Sequence, residues 1–217
     1  MLPTLQEILD LEEVAVSFTD LTKSPVAMHN FKDEQNDRSK VVVLYRPEVL
    51  AQYMDDWETT EGLIVGFIRV RPSDFNAKVW EVKGSAAEKG YGPVMYDIAM
   101  SLISPAYLMA DRSVVSDQAR KVWKHMYDHR MAEYDVVDLP PFYRWSNLNP
   151  DSPNHELPWL DFAYRLRKKL AVYSSLYTKD SKFFAGIADQ YTKRQTMDTL
   201  EELAWTYFRD RTEPFGI

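Results

Sequence analysis

The stretch that decides the fold is Val82-Lys83-Gly84-Ser85-Ala86-Ala87-Glu88-Lys89-Gly90-Tyr91-Gly92-Pro93, and an apolar segment from Val94 to Ile103 follows it. This pattern predicts a strand that ends in a glycine-containing turn and then enters a helix. Pro93 falls in the first helical turn, where its missing N–H costs nothing. Such a turn leaves backbone N–H groups unpaired at the positive end of the helix dipole. The sequence therefore predicts an anion site that could hold a pyrophosphate.

Two common phosphate-binding loops do not match this turn. A Walker-type loop requires Lys and then Ser or Thr after its last glycine, whereas Pro93 and Val94 follow Gly92. The dinucleotide fingerprint requires a third glycine three residues after Gly92, and that position is Met95. A plain turn with glycines at positive φ is the alternative interpretation, because glycine adopts that conformation at little steric cost.

The residues from Ala87 to Gly92 resemble the acyl-CoA loop of the GNAT superfamily of N-acyltransferases. The family pattern is Gln or Arg, two residues, Gly, one residue, and then Gly or Ala, and its leading position is Ala87 here. The resemblance implies that the loop amides bind the CoA pyrophosphate and that the preceding strand pairs with the pantetheine arm. The cofactor-binding residues that it implies are Val82, Lys83, Glu88, Lys89, Gly90, Tyr91 and Gly92.

The segments after the loop follow the order of elements in the same family. Apolar spacing predicts a helix over Pro93 to Ile103, a short buried strand over Tyr107 to Ala110 and a second helix over Ser116 to Tyr127. This block is most similar to GNAT-like proteins of tailed bacteriophages. The resemblance implies an α+β fold with a mixed, largely antiparallel sheet flanked by helices.

Upstream of the loop, the sequence predicts an antiparallel meander of strands. A meander that leads into a strand–helix–strand unit is an α+β arrangement. The charged segment Phe31 to Ser39 is predicted to be a mobile connector. The predicted elements are a helix at Thr4 to Leu9, strands at Lys40 to Tyr45, Gly62 to Val70 and Lys78 to Val82, and a helix at Pro47 to Trp57.

Three regions are predicted along the chain. Residues 1–138 would form the GNAT-like acyl-CoA-binding core. Residues 139–158 contain too many prolines and turn formers for a helix, which indicates a linker or wrapping arm. Residues 159–217 are predicted to be a helical C-terminal extension, with a helix from Trp159 to Leu176 and an amphipathic helix from Thr196 to Phe208.

Composition narrows the classes of function. The chain has 217 residues, 45% of them hydrophobic, which is ample for a packed core. It has no cysteine, which excludes disulfides and a cysteine nucleophile and fits a reducing compartment. No apolar run approaches membrane-spanning length and no signal-peptide pattern is present. We expect a cytoplasmic protein without a membrane partner, located in the host cytoplasm or the virion if the phage resemblance holds.

The net charge and the positions of the histidines argue against two further classes, proteins that bind nucleic acid in bulk and metal-binding proteins. A formal net charge of −7 argues against bulk binding of nucleic acid and leaves a basic acceptor such as an amine open. His125 and His129 are four residues apart on a predicted helix, but no carboxylate lies in phase with them. We therefore expect no metal site.

Acyl transfer to an amine requires proton loss from the amine, stabilisation of the thioester oxygen and protonation of the departing thiolate. The resemblance implies that a backbone N–H near Val82 contacts the oxygen. The family's thiolate acid is commonly a Tyr in the last helix, and that position is Trp123, whose indole is a very poor acid. Tyr127, one turn further on, is the substitute. Glu81, beside the splayed strand, and Asp111, at a strand end, are the candidate bases.

Two classes of function stay open on the sequence. The first is an acetyltransferase that uses acetyl-CoA or another acyl-CoA and acts on an amine of a small molecule or a protein. The second is a GNAT-fold protein that has lost catalysis and serves as a phage virion or host-interaction component, which Ala87 and Trp123 favour. Its C-terminal helices would then form a homo-oligomer contact or bind a protein partner. Structural interpretations also stay open, in which Tyr127 is a core tyrosine and Asp111 a partner of Arg112.

Overall fold

A computed structural model describes residues 21, 23–33, 36–57, 60–148, 157–168 and 171–212, which form an open sheet of seven strands with helices on both faces. The strands are β1 (Ala27–Asp33), β2 (Asn36–Tyr45), β3 (Ile64–Pro72), β4 (Val79–Ala87), β5 (Tyr107–Met109), β6 (Tyr134–Asp138) and β7 (Phe162–Leu166). The helices are α1 (Pro47–Asp56), α2 (Gly92–Ile103), α3 (Asp117–His129), α4 (Trp145–Leu148), α5 (Ala171–Ala185) and α6 (Gln190–Thr212), with 3-10 turns at Met131–Glu133, Pro141–Tyr143 and Pro158–Leu160.

The strand order in the sheet is β1-β2-β3-β4-β5-β7-β6. Neighbouring strands are antiparallel except β4 and β5, which are parallel and are connected through α2. The predicted α+β class with a mixed, largely antiparallel sheet is therefore confirmed. The strands predicted at Lys40 to Tyr45, Gly62 to Val70 and Lys78 to Val82 are confirmed as parts of β2, β3 and β4.

The hydrophobic core lies on both faces of the sheet because β2 and β3 are apolar at successive positions. Val42 and Ile68 pack on the face that α2 and α3 cover, which we call the α2 face. Val41 and Phe67 pack on the opposite face against Leu200 and other residues of α6, which we call the α6 face. The predicted amphipathic C-terminal helix is confirmed, although it is longer than expected and begins at residue 190.

Two sequence predictions are wrong. The segment predicted from Phe31 to Ser39 is not a mobile connector, because its described residues, 31–33 and 36–39, belong to β1 and β2, where Phe31 pairs with Val41. Its charges are accommodated by pairing, as in the 3.2 Å contact between Arg69 and the buried Asp33. Trp159 to Leu176 is not one helix, because β7 lies within it, between β5 and β6. Strand β6 was not predicted, and the helix predicted at Thr4 to Leu9 lies outside the described residues.

Helices α5 and α6 are joined to the sheet by a buried group of charges around His29 of β1. Its Nδ1 lies 3.3 Å from Asp180 of α5, and its Nε2 lies 3.5 Å from Glu201 of α6. The Tyr45 hydroxyl also donates to Asp180, at 2.9 Å. Burial alone would lower the pKa of His29, but the hydrogen bonds and charges of the two carboxylates raise that pKa to about 9.

We predict that the stability of the fold falls between about pH 6.5 and pH 9 because of His29. Its folded pKa of about 9 lies above the unfolded value of 6.5, so its contribution is complete below pH 6.5 and is lost as the pH rises through 9. The shift corresponds to about 3 kcal/mol. Urea unfolding across this pH range measures it.

A matched control separates this contribution from other titrations. His29→Gln should remove most of the pH dependence, whereas His129→Gln, on an exposed position of α3, should keep it. If the wild type and His29→Gln lose stability in parallel as the pH rises, His29 is not the source of the pH dependence. The buried group of charges around His29 would then not stabilise the attachment of α5 and α6 to the sheet.

Candidate functional site

Strands β4 and β5 separate after a short paired region. Their pairing runs from Val79 with Tyr107 to Glu81 with Met109. β5 ends there, whereas β4 continues to Ala87, paired with β3 alone among the described strands. From residue 83 to residue 87, β4 therefore presents a free backbone edge to a gap in the sheet.

A β-bulge in β4 lies where the two strands separate. Arg69 of β3 pairs with Gly84, but its neighbour Val70 pairs with Val82, which leaves Lys83 as the extra residue. A bulge bends its strand and increases the local twist. This gives a physical reason for β4 to turn away from β5 directly after Glu81.

The backbone groups of Val82 face β5. Lys78 accepts a hydrogen bond from the Tyr107 N–H on the β5 side, at 2.9 Å. Backbone groups of alternate residues point to the same side of a strand, so those of Val82 also point to that side. The pair of Glu81 with Met109 uses the Val82 N–H, because a parallel pair is closed by the N–H of the next residue. After the bulge the Glu88 N–H points to β3, so the alternate residues Ser85 and Ala87 turn their backbone groups to the gap.

Two of the predicted catalytic residues are brought together at the bulge. The Lys83 ammonium lies 2.8 Å from Asp111 and 3.3 Å from Glu81, so it links β4 to the residue that follows β5 across the start of the gap. Arg71 of β3 lies 3.4 Å from Glu81. The Glu81 side chain is buried, and the other members of the cluster are partly accessible.

The two carboxylates differ in what they can do chemically. Asp111 accepts hydrogen bonds from the Ser113 N–H at 2.7 Å and from the Ser113 hydroxyl at 2.6 Å, and its other oxygen contacts Lys83. Burial would raise the pKa of Asp111, but the hydrogen bonds from Lys83 and Ser113 outweigh it and lower that pKa. A low pKa makes a weak base. Asp111 therefore fits a positioning role, which leaves Glu81 as the candidate base.

Tyr127 lies away from this cluster. Its ring stacks on Phe162 of β7 at 5.8 Å and lies 6.5 Å from Trp159, and β5 separates β7 from β4. Trp123 is buried between Tyr96 at 5.0 Å and Tyr164 at 5.3 Å. The structure thus places Tyr127 in an aromatic contact on α3 and does not bring it to Glu81.

The sequence did not indicate a pair of hydroxyl groups that connects β4 to α2. Tyr96 of α2 lies with its hydroxyl 3.0 Å from the Ser85 hydroxyl, between the bulge and the turn. Burial raises the pKa of Tyr96 to about 12. The one sequence signal for Tyr96 was the helical repeat: Tyr96 is four residues after Gly92 and therefore lies on the same face of α2 as the glycine turn. Other site residues that the sequence did not indicate are Arg71, Arg46 and Ser113.

The turn between β4 and α2 offers unpaired amides. Gly90 has φ +92, and α2 begins at Gly92 with no side-chain cap. The Tyr91 N–H donates to Glu88 O at 3.0 Å, but no described residue accepts the N–H groups of Lys89, Gly90 or Gly92. The unpaired amides of Lys89, Gly90 and Gly92 therefore lie together at the positive end of α2.

Glu88 does not take part in the cradle. Its N–H donates to Val65 of β3 at 2.8 Å, and its carboxylate lies 3.1 Å from Arg46. Arg46 also donates to the Gly62 carbonyl. Glu88 is thus a neutralised structural residue, and its negative charge does not oppose an anion at the turn.

No family model, curated protein or solved structure matches the chain. In the part of the chain that the structure describes, no helix has the length and apolarity needed to cross a membrane. The same residues contain no group of three or more His, Asp or Glu side chains that could hold a metal ion, and the His125 and His129 rings lie 5.5 Å apart. Inference about function therefore depends on the geometry around the β4–β5 gap.

We predict that Lys83→Met destabilises the fold by roughly 1–3 kcal/mol, because it leaves the buried Glu81 carboxylate with Arg71 as its remaining cation. Combining Lys83→Met with Glu81→Gln should cost less than the sum of the two single changes, because the charge to be compensated is gone. Chemical denaturation of the four proteins measures this. Lys89→Met, on the exposed turn, is the control and should be near neutral. If the double variant loses as much stability as the two single variants together, Lys83 does not stabilise the fold through Glu81.

Proposed function

We propose that the protein is an acyl-CoA-dependent N-acyltransferase of the GNAT type, which transfers an acyl group, acetyl in the first instance, to an amine. The observation that supports this most is the separation of β4 from β5 at the Lys83 bulge, directly before a glycine turn that opens α2. In the family that the sequence resembles, the same succession of splayed strand and turn binds the pantetheine arm and the pyrophosphate of CoA.

The residues around the gap fit a CoA molecule. An extended arm with amide groups can hydrogen-bond to a free strand edge, as a peptide does when it adds to a sheet, and β4 presents such an edge after Val82. The unpaired amides of Lys89, Gly90 and Gly92 at the positive end of α2 suit a pyrophosphate. When bound, an acyl-CoA supplies an activated thioester.

Residues at the bulge can serve the transfer itself. The Ser85 N–H faces the gap and can donate to the carbonyl oxygen as negative charge develops there. The Glu81 carboxylate can accept the proton that the acceptor amine loses, while Lys83 and Asp111 hold it in place. The Ser85–Tyr96 hydroxyl pair can return a proton to the leaving sulfur. The net charge of −7 is compatible with a basic acceptor, a small molecule or a protein amine.

The second candidate is a GNAT-fold protein without catalysis, acting as a phage virion or host-interaction component. The burial of Trp123 favours it, because the position of the family's thiolate acid is filled by an indole enclosed in the core. The absence of a Gln or Arg at Ala87 points the same way. This candidate predicts a protein that does not bind CoA and assembles through other surfaces.

Titration of the purified protein with acetyl-CoA by calorimetry distinguishes the candidates. The proposal predicts roughly micromolar binding that is lost in a variant with Gly90→Glu and Gly92→Glu, because the new carboxylates occupy and repel the anion site. Glu at residue 90 would also strain a backbone with φ +92. A second variant, Lys89→Glu, reverses charge on the exposed turn without that strain and should weaken binding about tenfold.

Two controls keep this experiment interpretable. Circular dichroism must show that each variant is folded, and Lys182→Glu, an exposed charge reversal on α5, should bind acetyl-CoA like the wild type. A folded wild type that binds no acetyl-CoA would contradict the acyltransferase proposal and favour the interaction protein.

A further inference from the structure

The C-terminal helix places an aromatic ring against β4 beside the bulge. A Cβ atom added to Gly84 would lie 2.5 Å from Cζ of Phe208, so the ring tip occupies the space over the Gly84 backbone. The same ring stacks on Phe67 of β3, with centroids 4.7 Å apart. Trp205 supports Phe67 from the side at 5.0 Å. Phe208 is therefore held between β3 and β4 on the α6 face.

The charged cluster lies on this same face. Phe67, Arg69 and Arg71 are alternate residues of β3, so their side chains share a face. Arg69 lies over the Trp205 ring of α6 at 5.6 Å, which identifies it as the α6 face. Arg71 then reaches Glu81 across the strand pair. The candidate base, Glu81, and the rings of Phe208 and Trp205 therefore lie on the same face of the sheet.

We infer that Phe208 is a specificity-determining residue that restricts the transferred acyl group to a short chain, an inference that rests on the proposed function. The Ser85 N–H, which would bind the carbonyl oxygen, belongs to the residue that directly follows Gly84. An acyl chain that extends from this point on the α6 face meets Phe208 on one side and the charges of Glu81 and Lys83 on the other.

Neither direction accommodates a long apolar chain. Displacing Phe208 would break its stacking on Phe67 and open the core of the α6 face. Placing methylene groups against Lys83 and Arg71 would remove water from these partly accessible cations without giving them a new partner. An acetyl group is short enough to avoid both costs, so the structure favours acetyl-CoA over longer acyl-CoA thioesters.

The test is calorimetric titration with free CoA, acetyl-CoA and hexanoyl-CoA. We expect the wild type to bind hexanoyl-CoA at least about tenfold more weakly than acetyl-CoA. Phe208→Ala should narrow this difference, because hexanoyl-CoA binding strengthens relative to acetyl-CoA binding in the same variant. Phe208→Leu, which keeps an apolar side chain in the core, should do the same in part. Trp205→Ala, which removes a ring next to Phe67 and Phe208 but leaves Phe208 over Gly84, should keep the wild-type preference.

Free CoA separates failure of this inference from failure of the proposed function. If free CoA binds and the wild type does not distinguish the two thioesters, the role of Phe208 is wrong and the proposed function stands. Weaker hexanoyl-CoA binding in both Phe208 variants would also overturn that role, because the ring would then bind the chain. If neither CoA nor the thioesters bind the folded wild type, the proposed function and this inference fail together.

Discussion

The extra residue in β4, Lys83, is the constraint on which the candidate site depends. It changes the register between β3 and β4 from Arg69 with Gly84 to Val70 with Val82. The resulting bend separates β4 from β5, so that β4 after Val82 pairs with β3 alone among the described strands. It also brings the Lys83 ammonium within reach of both Glu81 and Asp111. One local irregularity thus opens the gap and places its charged groups.

The turn and the site could be predicted from sequence to different extents. The glycine turn was predictable because its signals are local: the glycines, Pro93 and the apolar segment after them. Glu81 and Asp111 were found as carboxylates near strand ends, but their link through Lys83 depends on a register shift that leaves no periodic signal. The role of Glu88 was also hidden, because Arg46 is 42 residues away in the chain.

Strands β6 and β7 were not predicted from the sequence, and for β7 the physical reason is different. Strand β7 has five residues, and Tyr164 packs into the core on one of its faces while Ala163 packs into a separate cluster on the other, so apolar–polar alternation is lost. A short apolar run of this kind cannot be told from a helix by periodicity. The C-terminal helix was predictable as amphipathic, but its partner could not be, since the contact of Phe208 with Gly84 joins residues distant in sequence.

Amide chemical-shift mapping of the ¹⁵N-labelled protein during addition of CoA tests the central claim most directly, because it reports the position of the ligand as well as its binding. We expect shifts that concentrate at Ser85 and Ala87 and at the unpaired amides of Lys89, Gly90 and Gly92, with β1 at the far edge of the sheet unchanged. Shifts that avoid the β4–β5 gap, or no shifts in a well-folded sample, would contradict the claim that this gap is a CoA site.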